Sequence, residues 1–320
     1  MKVLLTGGLG YIGSHIASLL GSSSIIVDNQ SNSSLNYKKY LPESIVYIEN
    51  INLKSLNKIF ARHKVTGVIH LAGLKSVTCS TADPLKYFKA NFNTSIDLLE
   101  AMDKNKIRKL IFSSSATVYG SKHISPLKEN LGLNAESPYG STKILIEQMI
   151  DDYAKSNAKF RGISLRYFNP IGANNNAGLS DKPKGTPENL IPLLVEAAKY
   201  NKKFYIYGKN YKTKDGTCIR DFIHIKDLAL AHLLALKKIN KINGHEKINL
   251  GLGKGASVLE IIKLFEKTND LKVNYSFARP RKGDVATCFA DNKKALKLLG
   301  WKPHYNYKDM VKDAWDAQKK

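Results

Sequence analysis

Residues 2–20 read Lys-Val-Leu-Leu-Thr-Gly-Gly-Leu-Gly-Tyr-Ile-Gly-Ser-His-Ile-Ala-Ser-Leu-Leu. Lys2 to Thr6 is an apolar run of strand length. Gly7, Gly10 and Gly13 follow at Gly-x-x-Gly-x-x-Gly spacing, and Ile16, Leu19 and Leu20 open a helical stripe. A strand that passes through glycines into a helix lets the backbone turn tightly and approach a pyrophosphate. The N–H groups and positive end of the helix then receive its charge. Glycine spacing alone is weak evidence, since a turn that holds no ligand can share it; the flanking strand and helix favour a dinucleotide. Asp28 closes the next apolar run, fifteen residues past Gly13, where a carboxylate can accept both ribose hydroxyls. It also repels a 2′-phosphate, and Asn29 and Gln30 supply no cation, so NAD is favoured over NADP.

Outward from this unit, short β-branched runs alternate with helical stretches. The spacing predicts strands at 24–27, 45–48, 67–71, 110–113 and 162–166, with helices at 53–63, 84–102 and 141–154. That is an α/β chain with a doubly wound parallel Rossmann sheet. Asn174 to Asn176, Gly178, Pro183, Gly185 and Pro187 crowd into a loop-forming stretch and mark a boundary. The expected division is a dinucleotide-binding domain over 1–172 and a smaller C-terminal α/β substrate domain over 173–320, with about 219–253 packing back onto the first. Helices are expected near 190–199 and 228–237.

Composition narrows the classes. An apolar share of 43% and a charged share of 24% over 320 residues describe a globular chain, and no run reaches the length of a membrane span. The opening apolar run is too short for a signal segment, so a cytoplasmic protein is expected. Cys79, Cys218 and Cys288 are widely spaced and form no Cys-x-x-Cys pair, and the eight histidines show no ligand spacing, so neither disulfides nor a metal is expected. The net charge of +23 would attract polyanions, yet the lysines are scattered without a basic tract, and no nucleic-acid or membrane partner is expected.

Chemistry is carried by two further segments. Tyr139-Gly140-Ser141-Thr142-Lys143 sets a phenol and an ammonium at i and i+4, on one face of a helix. A tyrosine near pKa ~10 is a poor base at neutral pH, and a nearby lysine favours its phenolate. Ser113-Ser114-Ser115 follows a strand, so its hydroxyls lie at the carboxyl end of the sheet, where Ser115 can bond a sugar hydroxyl. Each motif alone has a bland reading: a half-buried Tyr beside a solvated Lys, and a serine turn bonding its own backbone.

In this order and spacing the motifs resemble the extended short-chain dehydrogenase/reductase family, and within it the UDP-galactose (UDP-glucose) 4-epimerases. The likeness runs nearly end to end, through His70-Leu71-Ala72-Gly73-Leu74-Lys75, Ser137-Pro138-Tyr139-Gly140, Leu165-Arg166-Tyr167-Phe168-Asn169-Pro170 and Asp215-Gly216-Thr217-Cys218-Ile219-Arg220-Asp221-Phe222-Ile223-His224. The resemblance implies that Tyr139 takes the proton of the sugar 4-hydroxyl while C4 passes hydride to tightly bound NAD. Ser115 would position that hydroxyl, and Lys143 would hold the nicotinamide ribose and depress the tyrosine pKa. It implies cofactor contacts at Gly7, Gly10, Tyr11, Ile12, Gly13, Asp28, Asn29, Asn50, Ile51, Leu71, Ala72, Gly73, Lys75, Ser115, Tyr139, Lys143 and Phe168. For the UDP-sugar it implies Lys75, Ser115, Thr117, Tyr139, Asn169, Asn189, Leu190, Tyr205, Ile206, Tyr207, Arg220, Arg281, Asp284 and Cys288. A homodimer through two long helices is also implied.

Three positions depart from the family. Asn50 stands where an aspartate usually holds the adenine amine, and its carbonyl can still accept that bond. Ala90-Asn91 replaces an Asn-Asn pair, and Cys288 replaces a tyrosine found in many bacterial members. The smaller cysteine predicts space for an N-acetyl group, hence UDP-GlcNAc and UDP-GalNAc as further substrates; a cysteine packed as a small hydrophobe is the alternative. A 4,6-dehydratase would need a carboxylate just after the serine, where Ala116 stands. A 4-epimerase of a pentose or uronic-acid nucleotide, or a nonenzymatic binder, stays open.

Overall fold

A computed structural model describes residues 2–185, 187, 189–281 and 284–319. Its centre is a seven-stranded sheet containing β1 (Lys2–Thr6), β2 (Ser24–Asp28), β3 (Ile45–Ile48), β4 (Val65–His70), β5 (Lys109–Ser115) and β6 (Arg161–Tyr167). The strand Gly244–Leu250 joins the edge of β6, giving the order Gly244–Leu250, β6, β5, β4, β1, β2, β3, all parallel. The chain reverses direction across the sheet between β1 and β4, the switch point at which open parallel sheets bind ligands. One face is covered by α1 (Tyr11–Leu20) and the helix Ile225–Lys238. The other face carries Leu53–Arg62, Thr94–Lys104 and Pro138–Ser156. Burial on both faces explains why β1 and β2 are apolar without alternation.

Two helices differ from the expected bounds. The helix expected over 141–154 starts at Pro138 rather than Ser141, because Ser137 accepts the Gly140 N–H (3.2 Å) and Pro138 takes the first turn, where no N–H is missed. The stretch expected as one helix over 84–102 is helical throughout but contains a π turn at Phe88–Asn93. That extra residue per turn breaks the 3.6 periodicity and turns Asn91 into the interior.

The remaining elements form a smaller lobe around Ile191, Leu194, Phe204, Phe222, Ile262, Phe265 and Met310. It contains the parallel pair Phe204–Tyr207 and Tyr275–Ala278. Ile219–Arg220 lies there between Ala256–Ser257 and Thr287–Cys288.

Candidate active site

The glycine loop is shaped by two close approaches. A Cβ on Gly13 would lie 2.5 Å from the Gly7 carbonyl oxygen, and one on Gly7, whose φ is +69°, would lie 2.8 Å from Ala72 Cα. Gly10 differs: a Cβ there would meet only the Gly7 oxygen, at 3.4 Å, so protein packing does not demand a glycine. It caps α1 without a side-chain bond, and the N–H groups of the first turn lack intrahelical acceptors. A backbone cradle that a side chain would fill, at a helix N-terminus, fits a dinucleotide pyrophosphate. Asp28, nearly buried at the end of β2, is fixed by the N–H groups of Leu9 (3.0 Å) and Gln30 (2.7 Å). The Asn50 carbonyl, expected to be open to an adenine amine, accepts Asn29 Nδ2 at 2.8 Å, leaving one lone pair. Ile51 packs against the apolar core beside β2. Lys184, which the sequence did not place here, donates to the Gln30 carbonyl (2.6 Å).

Past β4 the backbone runs through Leu71, Ala72, Gly73 and Leu74 to Lys75. Asn91 grips this turn: its Oδ1 accepts the Leu74 N–H (2.7 Å), and its Nδ2 donates to the Leu74 carbonyl (3.0 Å) and Thr142 Oγ1 (3.1 Å). Sequence reasoning noted only the alanine before it. Exposed Lys75 shares a cleft of about 240 Å³ with Leu9, Tyr11, Ser33 and Lys182. A larger cleft of about 350 Å³ runs between Tyr11, Gly172, Ile191 and Tyr200, and neither cleft is lined by Ser115, Tyr139 or Lys143. Tyr11 donates its hydroxyl to the Gly172 carbonyl (2.7 Å), tying α1 to the smaller lobe, and Ile12 packs on the main core.

Ser115, Tyr139 and Lys143 do meet. The Ser115 hydroxyl lies close enough to the Tyr139 phenol to pull its pKa down, and it accepts from the Thr117 N–H (3.2 Å) and hydroxyl (3.0 Å). Lys143 Nζ donates to the Ser113 carbonyl (2.8 Å) and lies 4.7 Å from the Phe112 ring centre and 5.8 Å from that of Tyr139. The expected depression of the Tyr139 pKa by Lys143 is not found. Burial pushes the phenol up to about 12 against the pull of the Ser115 hydroxyl. The reason is that the ammonium shares the same dry space: burial brings Lys143 down to about 8, opposed by Glu147. Tyr167, next to both Tyr139 and Ser113, is likewise raised by burial.

At the far end, Arg220 donates to the carbonyls of Val285 (2.7 Å) and Ile219 (2.9 Å) and pairs with Asp284 (3.2 Å). Cys288 is its register partner on the neighbouring strand; burial raises the thiol to about 11, so it is neutral. Arg281 stacks on Tyr207 at 4.0 Å. Tyr205 and Tyr207 face outward, but the Ile206 side chain, 1% exposed, belongs to the lobe core, so only its backbone can meet a ligand. Phe168 is also turned inward, against Val118, Tyr119 and Leu127. Asn189 pairs with Asp181 (3.4 Å) at the start of the helix whose first residue is Leu190. Asn169 donates both N–H and Nδ2 to the Asp221 carbonyl (3.0 Å each).

The sequence also missed Asp221. Fully buried, it accepts N–H groups from Leu252 (2.7 Å), Ala290 (3.1 Å) and Gly253 (3.2 Å), joining the strands that carry Arg220 and Cys288. Burial lifts it to about 7 against those bonds. No motif spacing signals a residue whose partners are all backbone groups of distant segments.

The NAD dependent epimerase/dehydratase family matches residues 3–251. A UDP-glucose 4-epimerase of Dictyostelium discoideum is 43% identical, covering 99% of this chain and 95% of its own. A UDP-glucose-4-epimerase structure from Stenotrophomonas maltophila, with bound NAD and formylated UDP-arabinopyranose, is 39% identical. It superposes with a TM-score of 0.96 over 100% of this chain and 98% of that one. Another, from Bifidobacterium longum in complex with NAD+ and UDP, is 37% identical with a TM-score of 0.95 over 100% and 98%. With the glycine cradle, Asp28 and the Ser115–Tyr139–Lys143 group in place, this chain belongs to the NAD dependent epimerase/dehydratase family.

Proposed function

We propose that this chain interconverts UDP-galactose and UDP-glucose with NAD as its cofactor. The observation that carries it is the meeting of Ser115 and Tyr139 at the carboxyl end of β5, with Lys143 on the same helix face and the glycine cradle at the adjoining switch point. When bound, NAD supplies a hydride acceptor for sugar C4 and gives the hydride back to the opposite face. Gly7, Gly10, Gly13 and the first turn of α1 hold its pyrophosphate, Asp28 a ribose, and Lys143 the nicotinamide ribose. Tyr139 removes and returns the proton at the 4-hydroxyl oxygen, and Ser115 orients that oxygen. A phenol at about 12 is a weak base at neutral pH, so the reaction needs cations beside it, and an opposite charge within ~4–6 Å lowers such a pKa by about 1–3 units. Arg220, Arg281 and the tyrosines at 205 and 207 receive the nucleotide diphosphate and base, Arg220 being aimed by Asp284.

Residues 1–172 form the cofactor half and 173–320 the sugar half, the segment about 219–253 serving the first. The test is incubation with UDP-galactose without added NAD, followed by NMR. UDP-glucose is expected to form, and no product with or without NAD overturns the proposal. Tyr139→Phe keeps NAD bound and lowers kcat about 100-fold or more; near-normal turnover removes Tyr139 as the base.

UDP-GlcNAc and UDP-GalNAc extend the substrate range, supported by the small size of Cys288, partly buried beside Arg220. Turnover of the plain sugars without the acetylated ones rejects this. A homodimer is supported by exposed Val77, Leu85 and Leu145 on neighbouring helices, and sedimentation of a monomer at every concentration overturns it. A cytoplasmic location is supported by Cys79, Cys218 and Cys288, none of which forms a disulfide, and export of the tagged chain in its host counts against it.

A further inference from the structure

Two of the buried polar networks bear on the site or resemble one. In one, Ser164 Oγ is 2.7 Å from His245 Nε2, and His245 Nδ1 is 2.9 Å from Asp151 Oδ1, the order of a hydrolase triad. Ser164 is fully buried, so no acyl group reaches it and the network serves the β6 edge. The other lies directly under the catalytic groups. Glu147 Oε1 accepts the Ser114 hydroxyl (2.6 Å), and both its oxygens accept from Arg166, at 2.5 Å to Nη2 and 2.9 and 3.2 Å to Nε. Arg166 Nη1 reaches the Tyr119 hydroxyl (3.0 Å), which donates to Asn249 Oδ1 (2.7 Å).

We propose that Glu147 is the positioning residue that locks the strand bearing Ser115 against the helix bearing Tyr139 and sets a carboxylate one helical turn from Lys143. Tyr139, Lys143 and Glu147 are spaced four apart and share one helix face. Three consecutive residues of β5 meet them in turn: Ser115 approaches Tyr139, the Ser113 carbonyl takes Lys143 Nζ, and the Ser114 hydroxyl donates to Glu147. Ser114 points away from Ser113 and Ser115 on the pleated strand, so it can fix the strand without entering the site. Both charged side chains of the Glu147–Arg166 pair are almost wholly buried. Such pairs add little net stability over apolar residues of the same size, so stability is a poor account of this one. Its placement supplies another. The groups facing Lys143 are Tyr139 and Glu147 on its own helix, His70 from β4, the Phe112 ring and Ser113 carbonyl from β5, and Tyr167 from β6 through Ser113. His70 is held neutral by burial, and Glu147 brings the negative charge.

This inference rests on the epimerase reading, and the test separates the two. Glu147→Gln keeps the size and an acceptor for Ser114 while removing the charge. Wild type and variant are compared for kcat, KM and melting across neutral to alkaline pH with UDP-galactose. A wild type without turnover defeats the epimerase reading. With an active wild type, the variant is expected to lose about 10–100-fold in kcat with little change in KM. Its alkaline limb moves about one pH unit lower. A limb that stays in place overturns the charge role, because a merely structural loss lowers melting without moving it. Should E147Q not fold, the pair Glu147→Leu with Arg166→Met replaces both charges by apolar side chains and reads the same limb under the same criterion. Ser114→Ala spares the ion pair and tests the lock: kcat falls several-fold with the limb unmoved, and an unchanged kcat overturns it.

Discussion

Tyr139 and Lys143 are driven toward their neutral forms by the same dry surroundings, and the two shifts give activity and stability opposite pH dependences. Lys143 has a folded-state value of about 8 against 10.5 for the exposed group, so between these the unfolded chain binds more protons. Its contribution to stability therefore rises with pH across that window. Tyr139, raised from 10.0 to about 12, opposes this only above pH 10. Activity needs the ammonium and declines above about pH 8. Between pH 8 and 10, the melting midpoint of wild type relative to Lys143→Met is expected to rise while kcat falls. A flat melting difference with undiminished kcat would mean that Lys143 is charged throughout. At this scale the sequence told much: the Tyr/Lys spacing and the serine run pointed to three residues that the fold brings together. It could not give their protonation, which depends on how completely the surrounding strands exclude water. Nor could it single out Glu147 or Asp221, whose partners arrive from distant segments.

At the scale of elements, the strand, glycine turn and helix at the start of the chain were legible because every local signal agreed: the apolar run, the spacing and the helical stripe. The π turn at Phe88–Asn93 was not, since apolar periodicity reports a helix but not one extra residue within it. That extra residue brings the Asn91 amide to the turn after β4, where it makes two bonds that backbone or water would otherwise make, and a third to the Thr142 hydroxyl. Asn91→Ala leaves the Leu74 N–H and carbonyl unpaired, at a cost of about 1–3 kcal/mol. The variant is expected to melt earlier and to release NAD more readily in equilibrium dialysis. Unchanged NAD retention with lowered melting would confine Asn91 to the fold.

Over the whole molecule, the parallel sheet could be read from alternating runs. The scatter of lysines along the sequence hid how folding gathers them. Residues 199–214 hold six lysines and no acid, and the strand Phe204–Tyr207 in their midst pairs with Tyr275–Ala278, which leads into Arg279 and Arg281. Two acid-free segments thus lie side by side at the outward tyrosines, a local field suited to an anionic nucleotide. The seventh strand was missed because Gly-His-Glu-Lys-Ile-Asn-Leu is polar in its first half, the half-covered pattern of a sheet edge.

That returning strand bears on how separable the halves are. The chain leaves the sheet after β6, builds part of the smaller lobe, and comes back at Gly244–Leu250 to cover the β6 edge before leaving again. A gene truncated after residue 172 would encode every cofactor group proposed above and still make an unfinished article: Ile163 and Leu165 would sit on a bare edge inviting strands from other copies. Expressed alone, 1–172 should aggregate, whereas a version with 225–250 fused back through a linker, which restores both the covering helix and the edge strand, should stay dispersed by light scattering; a clear, monomeric 1–172 would refute this. The dinucleotide half is therefore not a cassette that evolution or an engineer can lift out at the obvious seam, because the last rung of its ladder is written on the far side of the sugar half.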